Sequence, residues 1–294
     1  MLGLKFTHSF THYIKMSSSL HTALTEATLQ LPNSDSPRLD AEVLLMNVLG
    51  VTRSYLLTWP EKMLTANQYA QFQALLARRT QDEPIAYLTG HKEFWSLELQ
   101  VTENTFIPRP ETELLVEQAL ARLPIDGEAL VIDLGTGSGA IALAIAAEQP
   151  QCRVLATDKS TAALKVAQAN AQRLGLHQVE FSQSDWWAAL GEIKATLIVS
   201  NPPYVAVNDP HLSQGDVQYE PRSALVAGVD GLADIGQLIA QSVFHLVAEG
   251  WLLLEHGYNQ AAGVQALFEQ YGYKAVKTYN DLAGLPRVTV GQKP

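Results

Sequence analysis

Residues Asn201-Pro202-Pro203-Tyr204 follow directly on the apolar run ATLIVS, residues 195–200. Prolines stop strands, and that alone would account for the turn. The residue types in it also suit the gripping of a flat nitrogen. An amide or aromatic amine nitrogen is a poor nucleophile because its lone pair is delocalised into the neighbouring π system, as in a peptide bond. What such a nitrogen needs is two acceptors for its two N–H groups. The Asn201 side-chain oxygen and the Pro202 carbonyl supply them, and both stabilise positive charge growing on nitrogen. Proline fixes its own φ and so fixes the direction of that carbonyl. Tyr204 offers a ring to stack on a planar group and hold it in line.

A second constellation lies upstream. The strand-like run ALVIDL leads into Gly135-Thr136-Gly137-Ser138-Gly139, and a helical pattern starts at once. Glycines there let backbone approach a ligand, and a helix N-terminus offers free N–H groups. The third glycine comes one residue too early for a dinucleotide fingerprint. Asp133, just before the loop, is a poor neighbour for a pyrophosphate and suits a ligand with an ammonium group, such as the methionine portion of S-adenosylmethionine. Asp158 ends the next strand, about 20 residues on, where a ribose diol is gripped. Asp185 and Trp186 stand at the end of the third strand, placed to take an adenine amino group and stack on its ring, with Trp187 as the core anchor. The order of glycine loop, acid, acid–aromatic pair and Asn-Pro-Pro-Tyr is that of methyltransferases acting on planar nitrogens.

These residues need a scaffold that brings strand ends together. From residue 128 the sequence alternates strand and helix patterns and closes on YKAVKTY and PRVTVGQ. That alternation predicts an α/β fold, a Rossmann-like parallel sheet with helices on both faces. The last two strands are too close for a helical crossover, so one of them runs antiparallel. DIGQLIAQSVFHLVAE reads as one helix before the strand WLLLEH. Residues 17–90 read as three to five helices, one opened by Ser36-Pro37 and closed by Gly50, another capped by Thr65. Residues 91–108 read as a β-hairpin linker, with the catalytic domain at 109–294. The first 15 residues read as a leader, with Met16 an alternative start. The loop 205–232 is long enough to be functional and is expected to shape the acceptor site with Glu220. Arg109 and Glu111 are expected either at the entrance to the donor pocket or in a structural ion pair.

The 294 residues carry a net charge of −10 and one cysteine, Cys152. The acidic balance argues against a broad grip on a phosphate backbone. One cysteine allows no internal disulfide and fits a reducing cytoplasm. The eight histidines show no metal-ligand spacing, and no apolar run is long enough to span a membrane.

The chain resembles the glutamine methyltransferases of peptide chain release factors, the PrmC or HemK family. The likeness rests on SPRLDAEVLL, EPIAYLTGHKEFWSL, FIPRPETE, DLGTGSGAIALA, QSDWW, SNPPYV, YEPRSAL, LLLEHG and LPRVTVG. The first three lie outside the generic methyltransferase core. The resemblance implies S-adenosyl-L-methionine as methyl donor, S-adenosyl-L-homocysteine as product and no metal. It implies that the acceptor is the glutamine amide of the Gly-Gly-Gln motif in class 1 release factors, with residues 1–90 helping to grip that partner. It puts the donor on Gly135 to Gly139, Asp158, Trp186 and Asn201, and the acceptor on Asn201 to Tyr204. The rival is an adenine amino-group methyltransferase, which would flip a base out of nucleic acid and should carry a basic face. A module that only senses the donor would not need the Asn-Pro-Pro-Tyr turn.

Overall fold

The computed structural model describes residues 18–124 and 128–294; the expected leader, residues 1–15, lies outside the described residues. The chain divides into two compact units, one ending at Thr89 and one running from Gly90 to Pro294.

The first unit is helical: α1 (Leu20–Leu29), α2 (Pro37–Leu49), α3 (Arg53–Thr58), α4 (Ala66–Arg79) and α5 (Ile85–Thr89). Its boundaries follow from local chemistry. Pro37 sits in the first turn of α2, where its missing N–H costs nothing, and Gly50 ends that helix in the left-handed region at φ 63°. Thr65 and Gln68 form a reciprocal capping box at the start of α4. Phe72 and Leu76 of α4 pack with Leu44 and Leu45 of α2 in one apolar core. Two buried acids tie the helices together. Asp40 accepts from Arg79 at 2.9 Å, and Glu42 accepts from Arg38 at 2.7 Å and Arg53 at 2.8 Å. Arg78 pairs with Glu83, so both arginines of the Ala77-Arg78-Arg79 run are already neutralised.

The second unit opens with an antiparallel hairpin, β1 (His91–Phe94) and β2 (Leu97–Gln100). A short turn at Pro110–Thr112 leads into α6 (Glu113–Leu120). Then come β3 (Leu130–Leu134), α7 (Ala140–Glu148), β4 (Arg153–Asp158), α8 (Thr161–Leu174), β5 (Val179–Gln183), β6 (Ala195–Ser200), α9 (Ala233–His245), β7 (Leu246–Glu255), α10 (Ala261–Gln270), β8 (Lys274–Asn280) and β9 (Pro286–Gln292). The hairpin rests on this body: Trp95 N–H donates to Glu113 and its indole N–H to Glu148, while Asn170 of α8 bonds both backbone groups of Gln100.

Seven strands form one sheet in the order β5-β4-β3-β6-β7-β9-β8. Strands β3 to β7 pair in parallel, and β9 is the antiparallel insert between β7 and β8. Period-two alternation divides the apolar side chains between two cores. Val131, Leu197, Val199 and Leu253 face one core with α6 and α7; Ile132, Ile198, Leu252 and Leu254 face the other with α9 and α10. The helix expected over DIGQLIAQSVFHLVAE stops at His245, and Leu246 already pairs with Ala195. The alanine and glutamate that follow favour helix, but burying Leu246 in the ladder wins. The surplus residues bulge out before the register resumes at Leu197 and Trp251, with Glu249 at φ 59°.

Candidate functional site

Chain reversal of strand order occurs around β3, which lies between β4 and β6. Open α/β sheets bind ligands at the carboxyl ends of strands at such a point. A cavity of about 450 Å³ opens there, inside the size range of small-molecule sites, ~300–1,000 Å³. Its walls carry the loops after β3, β4, β5 and β6. Gly135, Thr136, Gly137 and Ser138, Asp158, Asp185 and Trp186, and Asn201 through Tyr204 all line it. Four strand ends far apart in sequence thus deliver the expected residues to one crevice.

The glycine loop works differently from expectation. Gly135 and Thr136 N–H both donate to the Thr157 carbonyl, at 2.9 and 2.8 Å, and Gly139 N–H donates to the Thr136 carbonyl at 2.8 Å. Gly137 N–H donates to Asp158 Oδ2 at 3.0 Å. These N–H groups are spent inside the protein, so the glycines contribute close approach rather than free donors. Gly135 lies against the Trp186 ring: a Cβ there would stand 3.4 Å from it. Gly139, expected at the ligand, does not line the cavity. It caps α7 at φ 88°, and a Cβ there would meet Leu143 at 3.0 Å and Ala167 of α8 at 3.2 Å. Its bareness serves helix packing.

Asp133 also stands behind the loop. It is fully buried, and its Oδ2 accepts from the Thr136 hydroxyl at 2.6 Å. Burial pushes its pKa up to about 7 against the pull of Thr136. The β3 strand alternation aims it into the sheet's covered face, so it organises the turn and does not reach the cavity. Asp158 holds the loop with both oxygens, the second accepting from Ser160 N–H at 2.8 Å. Trp187 is buried and stacks on His245 with centroids 4.7 Å apart, while Trp186 lines the cavity at φ 49°.

The Asn-Pro-Pro-Tyr turn is fixed from several sides. Ser200 Oγ donates to the Leu134 carbonyl at 2.6 Å, locking β6 to β3 just before Asn201. Pro202 and Pro203 are buried. The Tyr204 carbonyl accepts from Gln260 Nε2 at 3.0 Å, and Gly231 packs so close that a Cβ would fall 2.2 Å from that oxygen. Asn201 Nδ2 donates to Thr112 Oγ1 at 3.3 Å. Burial, and then the nearby Glu255 charge, raise the Tyr204 pKa far above its ordinary value, which keeps it neutral.

Three contributors were missed in the sequence. Thr112 and Phe106 line the cavity from the segment before α6. Glu255, at the end of β7, is fully buried beside Tyr204. Its signal was present: an acid ending the apolar run WLLLE is anomalous in a central strand. Burial pushes Glu255 up to about 7, with Thr112 opposing. Asp133 and Glu255 therefore hold protons when folded that the unfolded chain has released at the same pH. Each contributes stability that is present in acid and lost as pH climbs from about 4 to about 7. Glu255→Gln is expected to flatten that fall, and denaturant unfolding at pH 5 and pH 8 reads it. An unchanged difference between the two pH values would contradict the assignment.

Arg109 and Glu111 both line the cavity, and both are ion-paired, Arg109 with Glu220 and Glu111 with Arg287. Glu220 is buried, bonds Arg109 and accepts from Ile107 N–H at 3.1 Å. It thereby ties the loop 205–232, whose residues 211–225 supply part of the cavity wall, to the 102–110 segment. Glu220→Ala leaves the Ile107 N–H and the Arg109 charge uncompensated, at a cost of about 3 kcal/mol. Limited proteolysis should then cut within 205–232 much faster; equal cutting rates would refute the clamp.

Among the described residues no cluster of His, Cys, Asp and Glu could hold a metal ion, and no helix is long and apolar enough to cross a membrane.

A sheet of this order, with a glycine loop after its first strand and Asn-Pro-Pro-Tyr after its fourth, defines a Rossmann-like class I methyltransferase. Residues 22–90 match the PrmC N-terminal domain and residues 110–216 the methyltransferase small domain. The chain is 51% identical over 281 residues to the release factor glutamine methyltransferase of Vibrio cholerae, covering 94% of this chain and 98% of that one. It is 53% identical over 263 residues to the protein of that name from Pseudomonas aeruginosa, covering 90% and 95%. The chain belongs to the release factor glutamine methyltransferase family. The fold is shared more widely: a methyltransferase crystal structure from Pyrococcus furiosus superposes with a TM-score of 0.52 at 18% identity, covering 75% of this chain and 97% of that one.

Proposed function

We propose that this protein transfers a methyl group from S-adenosylmethionine to the side-chain amide nitrogen of the Gly-Gly-Gln glutamine in class 1 peptide chain release factors. The observation that carries the reading is the convergence of Asn201, Pro202 and Tyr204 on one cavity with the glycine loop and Asp158. The family's name agrees with it and does not favour the adenine alternative.

The residues present fit the donor. Asp158 takes the ribose hydroxyls, Asp185 and Trp186 the adenine, and Gly135 to Ser138 allow close approach of the methionine portion. When bound, S-adenosylmethionine supplies an electrophilic methyl group on a sulfonium. The chain's own residues do the rest. The Asn201 side-chain oxygen and the Pro202 carbonyl accept the two N–H groups of the glutamine amide and stabilise the positive charge that grows on its nitrogen. Tyr204, neutral throughout, stacks on the flat amide and sets its angle of approach. No strong base is required before transfer, because the proton is lost from a nitrogen already made acidic. The helical unit, residues 18–89, is assigned to gripping the release factor.

The test is transfer of labelled methyl from S-adenosylmethionine to intact release factor, with a Gln-to-Ala release factor and adenine-containing DNA alongside. Label on the wild-type factor alone supports the reading. Label on DNA moves the chain to the adenine class, and label on the Gln-to-Ala factor means another acceptor residue.

A further inference from the structure

Proline fixes φ at 202 and 203, and its hold on the acceptor turn ends there. The next peptide unit, joining Tyr204 to Val205, is a rigid plane, and with the Tyr204 Cα it forms the root of the aromatic ring. That plane is held at both ends. Val205 N–H donates to the Leu225 carbonyl at 2.8 Å, and the Tyr204 carbonyl accepts from Gln260 Nε2 at 3.0 Å. The Tyr204 hydroxyl reaches Glu255 Oε1 only at 3.4 Å, long for a bond between oxygens, so the main-chain end carries the hold.

Gln260 suits this contact on both sides of its amide. Its Nε2 also donates to the Asp230 carbonyl at 3.3 Å, and its Oε1 accepts from Gly257 N–H at 2.8 Å. Two carbonyls at one end and an N–H at the other leave one orientation for the group. The Gln260 backbone is fixed at the start of α10, where its N–H donates to the Gly257 carbonyl at 2.9 Å and its own carbonyl accepts from Val264 N–H at 3.0 Å. The segment before it is anchored to β9. His256 N–H donates to the Arg287 carbonyl at 2.9 Å. His256 Nδ1 donates to the Gly257 carbonyl at 2.9 Å, which leaves Nε2 to accept from the Thr289 hydroxyl at 2.8 Å. One side chain thus joins the acceptor turn, the far end of the 205–232 loop and the β7–α10 turn. At Gly231 a Cβ would stand 2.2 Å from the Tyr204 oxygen and 2.7 Å from Gln260 Nε2, so only glycine leaves room for the contact. Lysine at 260 would donate without accepting, ionised glutamate would accept without donating, and asparagine falls one methylene short.

We propose that Gln260 is a positioning residue of the methyl-transfer site: it holds the Tyr204 carbonyl, and through it the ring that faces the acceptor amide, at the angle transfer requires. The inference rests on the functional reading above.

The experiment measures kcat on intact release factor, the Kd of S-adenosylmethionine and the denaturant midpoint, for wild type, Gln260→Met and Gln260→Glu at pH 8. Methionine keeps the reach and loses both polar ends. Glutamate keeps the shape and the bond from Gly257 N–H, and its charge is favoured at the N-terminus of α10. It also turns oxygens without protons toward the Tyr204 and Asp230 carbonyls. A structural role therefore makes glutamate the milder change, and a positioning role does not. We expect kcat to fall about 10-fold in Gln260→Met and at least as far in Gln260→Glu, since a misplacement of ~1 Å can cost ~100-fold. Gln260→Glu should be at least as stable as Gln260→Met, and the donor Kd should stay within about 3-fold in both. A kcat within twofold of wild type in Gln260→Glu, rates that follow the order of stability, or a loss confined to donor binding overturns the inference. Should either variant not fold, the other decides alone on the same twofold limit. Wild type is the internal control. If it leaves release factor unlabelled, the functional reading falls and takes this inference with it; a labelled factor with undiminished Gln260→Glu turnover sinks the inference alone.

Discussion

Asn201→Ala is expected to lower turnover on release factor by about 10²–10³ while donor affinity changes only a few-fold. One pre-positioned polar group facing developing charge is typically worth ~10²–10³ in rate, and Asn201 supplies one of the two acceptors for the amide N–H groups. The turn around it is braced independently. Ser200 is bonded to Leu134, the Tyr204 carbonyl to Gln260, and both prolines are buried. Removing the side chain therefore removes an acceptor without collapsing the loop, and the Pro202 carbonyl remains as the residual grip. The loss should fall on kcat rather than on donor binding, because the interaction strengthens only as charge develops on nitrogen. Single-turnover kinetics at saturating donor would show it. Equal single-turnover rates in the variant and the wild type would remove Asn201 from the chemistry and return the turn to a strand stop.

The strand ends were legible because function here follows the period of the fold. ALVIDL, RVLATD and ATLIVS are buried parallel strands, and each stops where its sequence turns polar or bends at glycine or proline. The chemistry-bearing residues sit at those stops, so reading the stops was nearly reading the site. What escaped was of a different kind. Asp133 looks like a ligand residue from its position, but only the pleat decides that it points into a covered face. Gly139 belongs to the same glycine loop as Gly135, yet the approach of Ala167 from α8 gives it a packing role. Thr112 meets Asn201 across 89 residues of sequence and Glu255 meets Tyr204 across 51, and no local pattern carries either meeting. Glu220 and Arg109 find each other in the same non-local way. Helix α9 ended early because a buried leucine in the ladder outweighed local helix preference.

Asp158→Ala is expected to weaken S-adenosylmethionine binding by about 10–100-fold, with a smaller effect on kcat at saturating donor. Two contributions add. The first is direct, since a carboxylate that accepts from ribose hydroxyls makes charge-assisted bonds worth roughly 1.5–3 kcal/mol. The second is built into the loop. Asp158 already accepts from Gly137 N–H at 3.0 Å and Ser160 N–H at 2.8 Å, so alanine also releases the turn that faces the ligand. Each carboxylate oxygen has a second lone pair, which leaves capacity for the ribose while the loop stays tied. Asp158→Asn divides the two contributions. Its single acceptor oxygen can keep one backbone bond, while its NH₂ would face the other N–H and repel it, so asparagine should recover little of the affinity. Calorimetric titration of the donor into the three proteins measures this directly. An alanine variant that binds the donor as tightly as wild type would mean that Asp158 serves neither the ribose nor the shape of the loop. An asparagine variant at wild-type affinity would mean that its charge is irrelevant, and that the loop is held by Thr157 alone, through the two N–H groups of Gly135 and Thr136 that converge on its carbonyl.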